Sequence, residues 1–153
     1  MKNNEVFNEI RRACEEWEAA NDEYAKQKHE IIKKFGCDSP EYKAWKAEQK
    51  ENLFPISRGA MTAFHTWENN IEKRTDEFEF DGFTWDDESK DFIDTLRKAG
   101  IKTIVLTCAS TALIENLHTY AEEGCTVDGL AVVTRKNDWG RTREQKGIRL
   151  RIN

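Results

Sequence analysis

The chain has 153 residues, of which 38% are hydrophobic and 35% charged, and its net charge is −5. That length fits one domain, or one domain with an appendage, and five Trp, eight Phe and three Tyr argue against a disordered chain. The charge is unevenly spread. From Arg135 to Asn153 seven Lys/Arg face two acids, a balance of +5 that leaves −10 on the other 134 residues. Such asymmetry points either to an acidic partner for the basic end or to internal pairing with the acids of 86–94.

The apolar residues trace the elements in chain order. Phe7, Ile10, Cys14, Trp17, Asn21, Tyr24, Lys28, Ile31 and Phe35 recur at spacings of three and four, a heptad-like stripe on one long helix that Gly36 ends. Such a stripe must be covered, either by later helices of the same chain or by a second chain. A second helix begins at Ser39 as cap with Pro40 in its first turn, carries Tyr42, Trp45 and Leu53 toward a core, and breaks at Pro55. A third spans about 57–74, with Ala60, Phe64, Trp67 and Ile71 on one side, and the three can bundle together.

The texture changes at Thr75. Phe78, Phe80 and Phe83 form a short strand, and Thr84 is the expected cap of a helix with Asp86, Asp87 and Glu88 in its first turn and Gly100 at its end. Residues 101–107 read as a strand. Ser110 or Thr111 then caps a helix carrying Leu113, Ile114, Leu117 and Tyr120, which ends at Gly124. Residues 130–134 are a third strand, and after the loop at 137–140, Ile148, Leu150 and Ile152 alternate with Gly147, Arg149 and Arg151 in a final antiparallel strand. The expected fold is α/β (α+β overall): an N-terminal helical hairpin or three-helix segment over 1–75, then a small βαβαββ unit over 76–153. Its sheet is expected to be mainly parallel with an antiparallel C-terminal edge strand.

Ligands in open parallel sheets bind beyond the carboxyl ends of the strands. That rim holds Asp81 and the turn Thr107-Cys108-Ala109-Ser110-Thr111. Thr107, Ser110 and Thr111 supply hydroxyls at a helix start, where an anion can be held, though two of them also suit a plain cap. Asp81 and Cys108 are the only candidates for catalysis. Neither His29, His65 nor His118 is brought near Cys108 by local spacing, so a base for a thiol nucleophile is missing. Residues Phe80–Thr84 and Ile104–Thr107 resemble the first two motifs of the haloacid dehalogenase superfamily. However, Glu79 stands at the nucleophile position and the later lysine and paired-aspartate motifs are lacking, so Asp81-Gly82 reads as a turn. No spacing suggests a metal site, and no cofactor is implied. At the basic end, Arg135, Lys136, Arg141, Arg143 and Lys146 flank Trp139, a pattern that suits a partner or nucleic acid through phosphate contact and base stacking.

Asp81-Gly82-Phe83-Thr84-Trp85, Ser110-Thr111-Ala112-Leu113, Asn116-Leu117-His118, Gly124-Cys125 and Trp139-Gly140 through Gly147-Ile148-Arg149 resemble a family of small accessory proteins without assigned function, carried on mobile elements of gut Firmicutes. The resemblance covers about the last half of the chain. It implies a bacterial, cytoplasmic setting and a role in binding other proteins, host defence machinery such as CRISPR complexes included. The expected function is therefore a non-enzymatic interaction protein, with a protein partner or a second copy of the chain meeting the N-terminal helices. A small anion-handling enzyme at the rim and a nucleic-acid factor at the hairpin are the alternatives. Reduced thiols and an absence of any membrane-spanning apolar run fit the same setting.

Overall fold

A computed structural model describes residues 3–153. Its order is α1 (Glu5–Phe35), α2 (Pro40–Glu48), α3 (Arg58–Lys73), β1 (Glu79–Phe80), α4 (Asp86–Lys98), β2 (Thr103–Leu106), α5 (Ala112–Glu122), β3 (Cys125–Lys136) and β4 (Thr142–Ile152). The fold is α+β, with helices first and a four-stranded mixed sheet ordered β1-β2-β4-β3. Among the described residues no helix is long and apolar enough to cross a membrane.

Two compact units emerge. One joins the start of α1, as far as Ile10, to Ser57–Asn153, and the other is Arg11–Ile56. The three expected helices therefore do not form one bundle: α3 belongs with the sheet. It lies against α4 so closely that a Cβ on Gly59 would press into the backbone carbonyl of Glu88 and the amide of Phe92. Phe7 stacks on Trp67 with ring centroids 5.0 Å apart, and both are fully buried. Asn4 Nδ2 donates to the Ala99 carbonyl at 2.8 Å, fixing the start of α1 to the end of α4.

β1 runs parallel to β2, as the two βα units require, while β4 runs antiparallel to both β2 and β3. The C-terminal strand is thus antiparallel, but it is not an edge. It fills the centre of the sheet, and β3 takes the outside. Two residues explain the insertion. Gly147 lets β4 approach β2, since a Cβ there would strike the Leu106 carbonyl and the side chains of Val105 and Thr107. Arg149, which reads as a solvent-facing position, donates through Nε and Nη2 to Glu77 at 2.9 and 2.7 Å, so the polar face of β4 is satisfied inside the sheet.

One face of the sheet carries Phe80, Ile104, Leu106 and Leu150 under α4 and α5. Phe92 bridges Phe80 (4.7 Å) and Tyr120 (5.8 Å). On the other face the long hairpin bends, with a register shift between Val127 and Leu130, and buries Val105, Ala131 and Val133 against one another. Its far end is fastened to the chain just before β1, where the Thr134 N–H donates to Asp76 Oδ1 at 2.8 Å and the Asp76 N–H to the Thr134 carbonyl at 3.2 Å.

Three local expectations are corrected. Thr84 does not cap α4. Trp85 holds that position without a side-chain bond, and Thr84 is buried, with its hydroxyl 2.7 Å from both Ser89 Oγ and the Tyr120 hydroxyl. Burial pushes the Tyr120 phenol well above its usual pKa. Leu53 is 71% exposed, because α2 stops at Glu48 and the segment to Pro55 is irregular. The third strand begins at Cys125, five residues earlier than its apolar run suggests, because pairing with β4 extends it.

Within the Arg11–Ile56 unit, Ser39 caps α2 by accepting from the Tyr42 N–H at 3.1 Å, with Pro40 first in the helix. Tyr24 and Tyr42 stack on Trp45 at 5.1 and 5.9 Å, and Trp17 meets Phe54 edge-on at 5.0 Å while donating from Nε1 to the Asn52 carbonyl.

Candidate functional site

The strand-end rim is a polar cluster whose members hold one another. Glu79, on the hairpin side of β1, is buried. Arg135 Nε donates to its Oε1 at 2.6 Å, Arg135 Nη2 bonds its Oε2, and Thr107 Oγ1 donates to Oε2 at 2.5 Å. The bond to Glu79 raises the Arg135 pKa beyond its already high value. Asp81 follows on the loop and is half exposed. Lys73 Nζ lies 3.0 Å from its carboxylate, and Arg135 Nη2 lies 3.6 Å away. Partial burial alone would raise the Asp81 pKa, but the Lys73 bond and the positive fields of Lys73 and Arg135 outweigh it and hold the group below its ordinary value.

Behind this cluster Asn70 of α3 braces β1. Its Nδ2 donates to the carbonyls of Thr66 and Glu79, and its Oδ1 accepts from the Glu79 N–H, each at 2.7 Å, and from Thr75 Oγ1 at 2.5 Å. The space enclosed among Thr66, Asn70, Lys73, Glu79 and Asp81 is about 10 Å³, room for at most one water.

The remaining rim residues sit apart from these. Cys108 Sγ donates to Ser110 Oγ at 3.3 Å, which in turn accepts from the Ala112 N–H at 3.2 Å. Ser110 therefore acts as the cap of α5, while Thr111 occupies the cap position without a side-chain bond. Asp81 and Thr107 thus meet through Glu79 and Arg135, whereas Cys108, Ser110 and Thr111 form a separate turn. That turn borders an open cleft of about 860 Å³, with Phe83 and Trp85 on its wall at 5.3 Å ring separation.

The acids of α4 do not pair with the basic end. Arg58 takes Glu88 at 2.5 Å and Asp87 at 3.9 Å, and Asp94 is bound by Lys90 and Arg97 at 2.6 and 2.7 Å. Internal pairing of the basic end runs instead to β1 and the residues flanking it, through Glu77, Glu79 and Asp81. Arg135 and Arg149 are consumed there.

Lys136, Trp139, Arg141, Arg143 and Lys146 remain. The turn between β3 and β4 is organised by one side chain: Asn137 Oδ1 accepts from the N–H groups of Trp139 (3.1 Å) and Arg141 (2.8 Å). The Asn137 N–H donates to the Arg141 carbonyl, and Gly140 closes the turn at φ +75, a left-handed conformation that glycine adopts without strain. Trp139 is left 88% exposed on this ordered turn. Arg143 lies opposite Arg135 in the ladder and so shares its face. Lys73, Arg135, Lys136, Arg141 and Arg143 line a cleft of about 430 Å³, with Glu72 and Asp138 as its acids. Among the described residues, Lys136, Arg141 and Arg143 have no acidic side chain within 4 Å. Lys146, paired with Val132, points to the face opposite Arg143 and lies ten residues along the hairpin from Lys136, outside the cleft.

The model of a domain of unknown function, DUF7698, matches residues 62–152. The chain belongs to the DUF7698 family. The match begins inside α3 and ends in β4, so the rim and the hairpin tip both lie within the DUF7698 domain, and the Arg11–Ile56 unit lies outside it. No curated protein and no solved structure matches the chain.

Sequence reasoning missed Glu77, Glu79, Lys73 and Asn70. The signal was present for the first two: Glu77-Phe78-Glu79-Phe80 alternates, which puts two carboxylates on one face, and Arg135 and Arg149 stand at inward ladder positions to receive them.

Proposed function

We propose that this DUF7698 protein is a non-enzymatic accessory protein of a mobile genetic element, and that it binds an acidic face of a host protein through its hairpin tip. An inhibitor of host defence, such as an anti-CRISPR protein in the bacterial cytoplasm, is the specific form of this reading. One observation carries it: Trp139 is held 88% exposed by the Asn137 turn, beside three cations without acidic partners. An exposed indole contributes nothing to folding, yet it is among the side chains that contribute most to binding when desolvated. The rim supports the same choice, because Asp81, Thr107 and Cys108 are each engaged with neighbouring side chains and the space beside Glu79 and Asp81 holds no more than a water.

The test is infection of a host with active CRISPR interference. Expression of the protein is expected to restore plaquing of a targeted phage, a W139A/R141A/R143A variant to lose that effect, and a D81N/C108A variant to keep it. A wild-type protein without effect ends the anti-CRISPR form, and an active triple variant ends the role of the tip.

A second reading is favoured by the same hairpin tip: single-stranded nucleic acid, with phosphates on Lys136, Arg141 and Arg143 in the cleft and a base on the exposed Trp139 of the turn. It predicts binding whose salt slope falls by about one for each cation removed. No retention on oligonucleotides at low salt removes it.

A further inference from the structure

The open cleft beside the start of α5 has a fixed floor and an apolar wall. On the floor, the Thr84 N–H donates to Asn116 Oδ1 at 2.9 Å and the Thr84 carbonyl accepts from Asn116 Nδ2 at 2.8 Å, and both residues are buried. The wall is the Phe83–Trp85 pair, 42% and 60% exposed, so about 860 Å³ stands open against two aromatic rings. Exposed apolar area at a formed cleft marks a docking surface.

The charges lining the same cleft say what fits it. Asp86, Asp87 and Glu115 stand around it against Arg58 alone, and Arg58 is turned to Glu88 at 2.5 Å and reaches Asp87 only at 3.9 Å. Among the described residues Asp86 and Glu115 have no basic side chain within 4 Å. The hairpin tip is the counterpart. Trp139 is 88% exposed there, beside Lys136, Arg141 and Arg143, the cations without acidic partners. One surface thus offers aromatic rings with carboxylates and the other an indole with cations, and within one chain their charges do not meet. Both stand at the same end of the sheet, since Ile148 of β4 pairs with Leu106, the last residue of β2, and the hairpin runs on beyond that pair.

We infer that the cleft is the seat for the hairpin tip of a second copy of this chain. Trp139 of one copy enters against Phe83 and Trp85 of the other, and Arg141 and Arg143 meet Asp86 and Glu115. A two-fold axis at the strand-end face makes the exchange reciprocal, so the interface is isologous and closes at two chains. Desolvated Trp and Arg contribute most at contacts of this kind, and opposite potentials fix partner and register. The inference uses the tip without resting on a host partner for it.

The experiment is light scattering coupled to size exclusion on the full chain, with each variant checked for unchanged circular dichroism. The wild type is expected to run as a dimer. D86K/E115K and R141E/R143E each lower dimer affinity about tenfold or more, and so does Trp85→Ala, which leaves the charges alone. Mixing D86K/E115K with R141E/R143E in equal amounts restores a dimer, because the altered cleft then faces the altered tip and the native cleft the native tip. A wild type that stays monomeric up to about 100 μM overturns the inference. So does a dimer that keeps its affinity when either surface is reversed, and so does a mixture that stays monomeric. D86K/E115K spares the tip, so plaquing with that variant reads the host role of the tip apart from self-association.

Discussion

Glu79 and Arg135, 56 positions apart in the chain, meet in a two-pronged ion pair that joins the first strand to the far end of the hairpin. The carboxylate side chain is 3% exposed and the guanidinium 20%. With Thr107 as a third partner the carboxylate is fully bonded, and that bonding makes its burial tolerable.

Removing one member of this pair is expected to be costly. Arg135→Ala leaves the Glu79 charge buried and should lower unfolding free energy by about 3–5 kcal/mol in urea titration. An Arg135→Met, Glu79→Met double variant should lose much less than the sum of the single changes, because no charge is then stranded. Additive losses would show that the pair does not act as a unit.

Asn70→Ala removes the side chain that serves the amide and carbonyl of Glu79 and the Thr75 hydroxyl together. Several buried groups lose a partner, and a loss of about 2–4 kcal/mol is expected from the same titration. An Asn70→Asp change should also destabilise, since the bonds donated by Nδ2 cannot be reproduced by a carboxylate.

Gly147→Ala tests the insertion of β4. Its φ is ordinary, so any effect comes from the new methyl group against the Leu106 carbonyl. Overpacking of this kind costs about 1–3 kcal/mol, read as a lower thermal midpoint, whereas Gly140→Ala strains only an exposed turn.

Acid should weaken the fold in a defined window. The Asp81 and Asp94 carboxyls are both held below the ordinary carboxylate value, Asp81 against partial burial by Lys73 and Arg135, Asp94 chiefly by its bond to Lys90. A depressed folded-state pKa contributes stability that is present above the unfolded value and lost as pH falls through the folded one. Unfolding free energy should therefore hold at neutral pH and fall below about pH 4. Asp81→Asn should flatten part of that slope. An unchanged slope would assign it to other carboxylates.

Trp139→Ala should leave stability within about 0.5 kcal/mol of wild type, as exposed positions generally do. The same change should abolish partner binding by the hairpin tip. A large loss of stability would mean that the indole packs after all.

Much of the fold is legible in the amino-acid order. Three- and four-residue spacing marks α1, α3 and α4, Ser39-Pro40 starts α2, and strand–helix alternation orders the parallel β1–β2 pair. The position of β4 is not legible, because alternating Ile and Arg looks the same at a solvated edge as in an interior strand whose Arg149 meets Glu77. The reach of α2 was overread at Leu53, since an apolar residue at helical spacing says nothing of whether anything lies across from it. At the candidate site, the basic cluster was visible in sequence, but its division was not. Arg135 serves the fold, Arg141 and Arg143 line the cleft, and Lys146 faces away from Arg143, a sorting made only by ladder register and by the turn between the strands.

The strand that comes last in the sequence sits at the middle of the sheet, and this bears on synthesis. Until residues 142–152 have left the ribosome, β2 has one bare edge and β3 has no neighbour, so the sheet is held back while its helices are already able to form. A nascent chain stalled before Thr142 would expose unpaired strand edges to other chains.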